Sequence, residues 1–156
     1  MKFSKLVLVA LSLVTFGSAK AANETATLNV TLTIQESCIF TATRQDISFG
    51  THNRSESPLT AQGKLSYQCT AGTAPKIALA STNGWNLKNA DVAIPYKLYS
   101  DAQYSTVWDD QDGNTVTKTA SGHEDSVNVY GKISAANATN VKAGDYADTV
   151  TATITF

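Results

Sequence analysis

The chain has 156 residues, with 12 basic and 13 acidic residues and a formal net charge of −1. The basic residues form no patch or stripe, which argues against binding to nucleic acid. They also provide no polybasic segment for anionic lipid. The length is that of one ordinary domain with room for a hydrophobic core.

The first 21 residues have the three parts of a secretory signal peptide. Lys2 and Lys5 give a positive start, residues 6–16 form an apolar run, and residues 19–21 read Ala-Lys-Ala, a small-residue cleavage pattern. The apolar run is too short to span a bilayer, although a retained anchor is the alternative. Cleavage after residue 21 would leave 135 residues with 9 basic and 13 acidic side chains, a net charge of −4.

Residues 25–34 show the clearest strand pattern in the chain. They read Thr-Ala-Thr-Leu-Asn-Val-Thr-Leu-Thr-Ile, so every second side chain is apolar. Because successive side chains of a strand point to opposite faces, the pattern predicts a strand with one apolar face. This face contains Ala26, Leu28, Val30, Leu32 and Ile34. Such a strand, near the free end of the mature chain, can complete its own sheet or that of a neighbouring molecule.

The two cysteines, Cys38 and Cys69, both lie in the mature part of the chain. An even number of cysteines in an exported protein predicts one disulfide. Metal binding is a weaker alternative, because the two thiols lack a Cys-x-x-Cys spacing and the two histidines, His52 and His123, add no ligand pattern.

The rest of the chain alternates between short apolar segments and polar turns. Residues 51–63 are predicted to be a loop, and Asn83-Gly84 is typical of a two-residue hairpin connection. No mature segment of ten or more residues keeps helical spacing. Eight to ten short strands therefore predict an all-β sandwich or barrel. The predicted strands cover residues 38–43 with 47–50, 65–69, 77–80, 95–99, 115–119, 127–133 and 146–156.

Sequence motifs for catalysis or cofactor binding are missing. The chain contains no Gly-x-Ser-x-Gly, His-Glu-x-x-His or glycine-rich phosphate loop, so we expect neither an enzyme nor a cofactor. Residues 109–114 form an acidic cluster, but an EF-hand alignment puts Trp108 and Thr119 at positions that require carboxylates. A hairpin turn is the favoured interpretation, and weak calcium binding in another geometry is the alternative.

The order of several segments resembles the spore coat protein U family, which includes subunits of archaic, Csu-type chaperone–usher pili. The most specific part is Gly-Asp-Tyr-Ala-Asp-Thr at residues 144–149, followed by an alternating strand to the C-terminus. The similarity also rests on Cys38, Phe49-Gly50, Cys69, Pro95-Tyr-Lys-Leu-Tyr-Ser-Asp101, Trp108 and Val129-Tyr-Gly-Lys-Ile133.

The resemblance implies an incomplete immunoglobulin-like β-sandwich that a donor strand from another subunit completes. Residues 1–21 would be the signal peptide, 22–36 the donor segment and 37–156 the pilin domain. The implied partners are neighbouring pilus subunits, a periplasmic chaperone and an outer-membrane usher, and the implied location is an extracellular pilus. The family pattern places the disulfide at Cys38 and Cys69, the inserting side chains at Leu28, Val30, Leu32 and Ile34, and the accepting groove at Val150, Ala152, Ile154 and Phe156.

Other interpretations stay open from the sequence. Residues 25–34 could pair within their own sheet, although the break at 35–37 lacks the glycine that a tight hairpin favours. A self-closed secreted binding module and a spore or cell-surface coat protein are alternatives to a pilus shaft subunit. Tyr96, Tyr99, Tyr104 and Trp108 could form a binding patch, although core packing is the more common use of such side chains.

Overall fold

The computed structural model describes residues 20–53 and 57–156. The predicted signal peptide lies almost entirely in residues 1–19, outside the described residues. The chain divides into two units, Met1–Thr33 and Ile34–Phe156. Residues 20–37 form neither a strand nor a helix, so the strand predicted for residues 25–34 is absent from this structure. The pattern alone does not form a strand, because a strand needs a paired neighbour for its backbone hydrogen bonds.

The regular secondary structure of the second unit is almost entirely β-strand. The order is β1 (Cys38–Phe40), β2 (Leu59–Cys69), β3 (Lys76–Ser81), β4 (Asn86–Asn89), β5 (Val92–Pro95), β6 (Lys97–Tyr99), β7 (Val116–Thr117), β8 (Glu124–Ile133), the four-residue helix α1 (Ala135–Ala138) and β9 (Val150–Thr155). The prediction of an all-β domain is confirmed. In the described part of the chain, no helix is both long and apolar enough to cross a bilayer.

The strands form three antiparallel groups. One sheet has the order β1-β2-β8-β6, a second has the order β7-β3-β9, and β4 pairs with β5 in a hairpin. The longest pairing joins β2 to β8 over ten residues, from Leu59 opposite Ile133 to Gln68 opposite Glu124. Alternate residues of these strands, such as Val127 and Val129, are buried. The period-2 pattern of the sequence thus becomes one buried face and one outer face.

The core lies between the two larger sheets, and Trp108 connects them. Its backbone N–H donates to the carbonyl of Leu98 at 2.9 Å, while its indole N–H donates to the carbonyl of Ile77 at 2.9 Å. Leu98 belongs to β6 and Ile77 to β3, and the Trp108 side chain is fully buried. One residue therefore fills the core and satisfies polar groups from both sheets.

Several strand and turn boundaries predicted from the sequence are wrong. Residues 59–63 were predicted to be loop, but they form the first half of β2, where pairing with β8 outweighs the polar composition. The turn at Asn83-Gly84 does not close a hairpin, because β3 and β4 belong to different sheets. Pro95 ends β5 instead of starting the next strand. The sequence does not predict the hairpin of β4 and β5, since β4 is mostly polar and β5 is short and ends in a proline.

Two glycines in the long pair of strands make room for the segment of residues 43–50. A Cβ atom on Gly63 would lie 2.5 Å from Cγ1 of Ile47 and 3.3 Å from the carbonyl oxygen of Asp46. A Cβ atom on Gly131 would lie 2.8 Å from Cζ of Phe49. Ile47 and Phe49 pack against the core at these positions. The glycines therefore fix how closely this segment approaches the sheet.

Gly63→Ala tests this close approach. We expect a loss of about 1–3 kcal/mol in the free energy of unfolding, because the new methyl group overpacks against Ile47 and nearby backbone. Ile47→Ala made together with Gly63→Ala removes the clash, so the double variant should lose less than the two single losses combined. Denaturant unfolding measures all three variants. Additive losses would contradict the direct contact.

Candidate functional site

Strand β9 occupies an edge of its sheet. It pairs with β3 over six residues, from Val150 opposite Ser81 to Thr155 opposite Lys76, and the sheet order places it last. An edge strand presents unpaired N–H and C=O groups on its outer side. The predicted final strand is therefore confirmed, although it begins at Val150 instead of residue 146.

The side chains of β9 alternate in burial along the strand. Val150, Ala152 and Ile154 are half-buried and pack against the core, whereas Thr151, Thr153 and Thr155 are exposed. Phe156 follows the strand and is 54% exposed. Three of the four side chains predicted to line an accepting groove therefore share the core-facing side of β9. Their role in accepting a strand stays a prediction.

A cleft lies beside the start of β9. Its volume is about 500 Å³, and its lining includes Ile47 and Phe49 from one side, Val150 from β9, and Leu87, Tyr96 and Leu98. Ile47 and Phe49 pack where Gly63 and Gly131 have no side chain, and both belong to the chain segment that follows β1. The cleft thus lies between the segment after β1 and the last strand, and its lining is mixed, because Arg44, Asp46 and Asp148 stand beside the apolar side chains.

Asp148 lines this cleft, and its carboxylate accepts hydrogen bonds from four donors. Its Oδ2 accepts hydrogen bonds from the hydroxyls of Tyr96 at 2.7 Å and Ser81 at 2.6 Å. Its Oδ1 accepts from the backbone N–H groups of Asn83 at 3.1 Å and Thr149 at 2.7 Å. A carboxylate with four donors fixes the chain just before β9. Sequence reasoning missed this network, although Asp148 is the second aspartate of the quoted Gly-Asp-Tyr-Ala-Asp-Thr motif.

Tyr96 carries the network into the core. Its ring makes edge contacts with Trp85 and Phe49, with centroid distances of 5.8 Å and 6.4 Å. Burial is the main reason that the pKa of Tyr96 is raised well above its ordinary value of 10.0, and the bond to Asp148 raises it further. The neutral hydroxyl is therefore the stable donor to the carboxylate.

The other motif residues hold the turn before β9. The amide nitrogen of Asn89 donates to the carbonyl of Asp145 at 2.8 Å, and the Tyr146 hydroxyl donates to the carbonyl of Lys142 at 2.8 Å. Gly144 has a φ of +154°, and a Cβ atom there would lie 2.5 Å from the Asn89 amide nitrogen. The residues of this motif thus fix the turn that leads into β9.

The predicted disulfide is present between Cys38 and Cys69, which lie directly opposite each other in β1 and β2. The bridge joins residues 31 apart in sequence, and the chain-entropy model gives such a crosslink about 3–4 kcal/mol of stabilisation. It fixes the point where the N-terminal segment enters the domain. Among the described residues, no cluster of three or more His, Cys, Asp or Glu side chains is placed to hold a metal ion.

The apolar side chains of the N-terminal segment are exposed. Leu28 and Val30 are each 85% exposed, Leu32 is 83% exposed and Ile34 is 69% exposed. Large apolar side chains arranged in a row at this exposure are unusual on a protein surface and typically mark an interaction site. The structure therefore has two candidate elements, an exposed apolar segment and an edge strand with a cleft beside its start.

The fold and these two elements define a class: an all-β immunoglobulin-like sandwich with an edge left open. The family model for the Spore Coat Protein U domain matches residues 24–153. The chain therefore belongs to the spore coat protein U domain family. A curated relative, "Protein U" of Myxococcus xanthus, is 32% identical over 171 aligned positions, which cover 96% of this chain and 94% of the relative.

A solved structure shows the same fold at low sequence identity. It is the chaperone–tip subunit pre-assembly complex of CsuC and CsuE from the archaic chaperone–usher Csu pili of Acinetobacter baumannii. The similarity has a TM-score of 0.55 and 16% identity, and it covers 80% of this chain. The chain spans 41% of the length of the chain that it matches.

Tyr96→Phe tests the Asp148 network. At neutral pH we expect a loss of about 1–3 kcal/mol in unfolding free energy, because the half-buried Asp148 carboxylate loses a donor. Wild-type stability should fall above about pH 10, because the unfolded state then releases the Tyr96 proton before the folded state does. The variant should show a shallower alkaline decline. Denaturant unfolding between neutral pH and pH 11 measures both effects.

Tyr67→Phe is the matched control. Tyr67 is fully buried, and its hydroxyl has no hydrogen-bond partner among the described residues. Removing an unsatisfied hydroxyl should be neutral or stabilising at neutral pH. Equal losses in Tyr67→Phe and Tyr96→Phe would show that the Asp148 bond contributes nothing beyond packing.

Proposed function

We propose that this protein is a structural subunit of an extracellular pilus and that it polymerises by strand donation between subunits. Residues 22–36 of one subunit are the donor segment, and the edge of β9 with its adjacent cleft in the domain of the next subunit is the acceptor. The observation that carries the proposal is that β9 is an edge strand with a row of half-buried apolar side chains, the first of which, Val150, lines a cleft. Membership of the spore coat protein U domain family supports it.

The donor segment has the pattern that strand addition needs. Main-chain hydrogen bonds to an edge strand give affinity, and alternate side chains that enter the core give register. Transferring Leu28, Val30, Leu32 and Ile34 from water to the core of a neighbour stabilises the contact by about 1.5–3 kcal/mol per side chain. The total of about 6–12 kcal/mol rivals the stability of a whole domain.

The acceptor side supplies both requirements. The outer backbone groups of β9 are available for hydrogen bonds, and Phe49, Leu87 and Val150 in the cleft offer apolar contacts to a donor side chain. Because the donor and the acceptor are different parts of the chain, a contact between two subunits through them is head-to-tail. A head-to-tail contact that does not close on itself produces a fibre.

The same edge explains the partners that we propose. A subunit with an open edge needs a temporary cover before assembly, and a periplasmic chaperone fits that need. The similar Csu structure is itself a chaperone–subunit complex. An outer-membrane usher would then exchange the chaperone for the next donor segment and export the fibre to the cell surface. Support of adhesion or biofilm formation is the proposed role of the fibre.

Two other functions are the alternatives to a pilus subunit. A self-closed secreted binding module would bury its own residues 22–36 instead of donating them. A spore or cell-surface coat protein, suggested by the family description, would use the same strand exchange in a coat. We favour the pilus because the fold is shared with a chaperone-bound pilus subunit complex.

The mature protein, run unheated on a non-reducing SDS gel, tests strand donation. We expect a heat-sensitive ladder of multimers, because the inserted strands resist detergent until heated. A version that starts at Gln35 should give no ladder. A synthetic peptide of residues 22–36 added to the truncated version should bind it and raise its melting temperature. A wild-type monomer together with an unfolded truncation would favour the self-closed module.

Matched substitutions test which face of the donor inserts. Val30→Asn places a polar group on the apolar face and should abolish the ladder, because burying an unpaired amide is costly. Thr31→Asn changes the neighbouring residue on the polar face and should leave the ladder intact. On the acceptor, Ile154→Asn and Thr153→Asn form the corresponding pair. Equal effects within either pair would overturn the assigned inserting face.

A further inference from the structure

The outer face of the four-stranded sheet carries a group of tyrosines and lysines outside the strand-donation site. Tyr99 of β6 lies opposite Tyr130 of β8, and Lys97 lies opposite Lys132 in the same pair of strands. Leu98 and Gly131, the residues between them, are buried, so the four side chains share the outer side. We call Lys97, Tyr99, Tyr104, Tyr130 and Lys132 the tyrosine–lysine face.

The rings form a connected cluster with one lysine. Tyr104 makes edge contacts with Tyr99 and Tyr130, with centroid distances of 5.6 Å and 6.4 Å. The Lys132 ammonium lies 5.1 Å from the centre of the Tyr104 ring. The three tyrosines are half-buried, so part of each ring reaches the surface. Two of the tyrosines in the patch considered from the sequence, Tyr99 and Tyr104, belong to this cluster, whereas Tyr96 and Trp108 are buried in the core.

The lysine pair works against the stability of the sheet. Like charges directly opposite each other in neighbouring strands repel. Ion pairs among the described residues join Arg44 to Asp46 and Lys76 to Asp112, so in this part of the chain neither lysine of the pair has a carboxylate partner. Lys64 adds a third cation on the same face, opposite Asn128. Lys64, Lys97 and Lys132 thus place three positive charges on the outer side of this sheet, while the carboxylate of Glu124 lies at the opposite end of β8.

The loop that presents Tyr104 is held in a strained shape. Tyr104 has a φ of +57°, an unfavourable conformation for an aromatic residue. The Asp101 carboxylate accepts the backbone N–H groups of Gln103 at 3.1 Å, Ser105 at 3.1 Å and Thr106 at 2.6 Å. Residues that the surrounding structure holds in such unfavourable backbone conformations occur most often at functional sites. The loop fixes Tyr104 between the two strand tyrosines.

From these observations we infer that the tyrosine–lysine face binds an anionic polysaccharide. Lys97 and Lys132 lie on adjacent strands, about 5 Å apart at the backbone, and together attract one carboxylate of a uronic acid. The tyrosine rings offer flat apolar surfaces to the C–H faces of sugar rings, and their hydroxyls offer hydrogen bonds to sugar hydroxyls. An acidic peptide would satisfy the lysines but would not require three adjoining rings.

Binding of a polygalacturonate oligosaccharide to the immobilised full mature protein tests the inference. We expect Lys97→Gln with Lys132→Gln to weaken binding by about tenfold or more, because two charges that face the ligand are removed. Lys88→Gln with Lys142→Gln removes the same charge elsewhere and should leave the affinity unchanged. Equal weakening by the two double variants, or no measurable wild-type binding, would overturn the inference.

Variants of Tyr104 separate a sugar ligand from a peptide ligand. Tyr104→Ala should weaken oligosaccharide binding by about fivefold or more, whereas Tyr104→Phe keeps the ring and should retain most of the affinity. Polyglutamate of similar charge should bind more weakly than the oligosaccharide, and neutral dextran weakest. Polyglutamate binding as tight as that of the oligosaccharide and insensitive to Tyr104→Ala would show an acidic-peptide site instead. Lys97→Gln alone, with an exposed side chain, keeps the test valid if the double variant fails to fold.

Discussion

The open edge of β9 is the constraint on which the rest of the domain depends. A sandwich buries its core only where both sheets extend over it, and here the last strand has a strand partner on one side, β3. Beside β9, the core is bordered by a cleft in which Phe49, Leu87 and Tyr96 take part in the lining. Unpaired backbone groups and accessible apolar side chains at such an edge are the features that the proposed strand donation would use.

The two borders of the cleft are held by different interactions. The disulfide between Cys38 and Cys69 fixes β1 against the end of β2, and the sheet glycines Gly63 and Gly131 seat the segment that follows. On the other border, Asp148 fixes the entry to β9 through four donors. A groove that is shaped in advance loses less entropy when it orders a strand. A disulfide, two close contacts at glycines and a four-donor carboxylate thus hold the chain on both borders of the cleft.

Sequence patterning predicted the features that depend on local alternation. The all-β class, the last strand and the row Val150, Ala152 and Ile154 follow from a two-residue period, and the disulfide follows from an even cysteine count in an exported chain. Features that depend on long-range contacts were not predictable in this way. Asp148 meets Tyr96, which is 52 residues away, and β2 continues to Leu59 only because β8 pairs with it. The strand predicted in residues 25–34 has the pattern but no strand in the structure, because pairing is not a property of the segment alone.

The proposed acceptor edge and the tyrosine–lysine face belong to different sheets, and this separation has a consequence for the assembled fibre. β9 lies in the three-stranded sheet, whereas Tyr99, Tyr130 and the lysine pair lie on the outer side of the four-stranded sheet. Strand donation at β9 therefore need not cover the tyrosine–lysine face. Each subunit of a fibre would repeat that face, so a long polyanion could contact many copies at once. Modest affinity at a single face would then become strong attachment along the fibre, because each further contact is intramolecular.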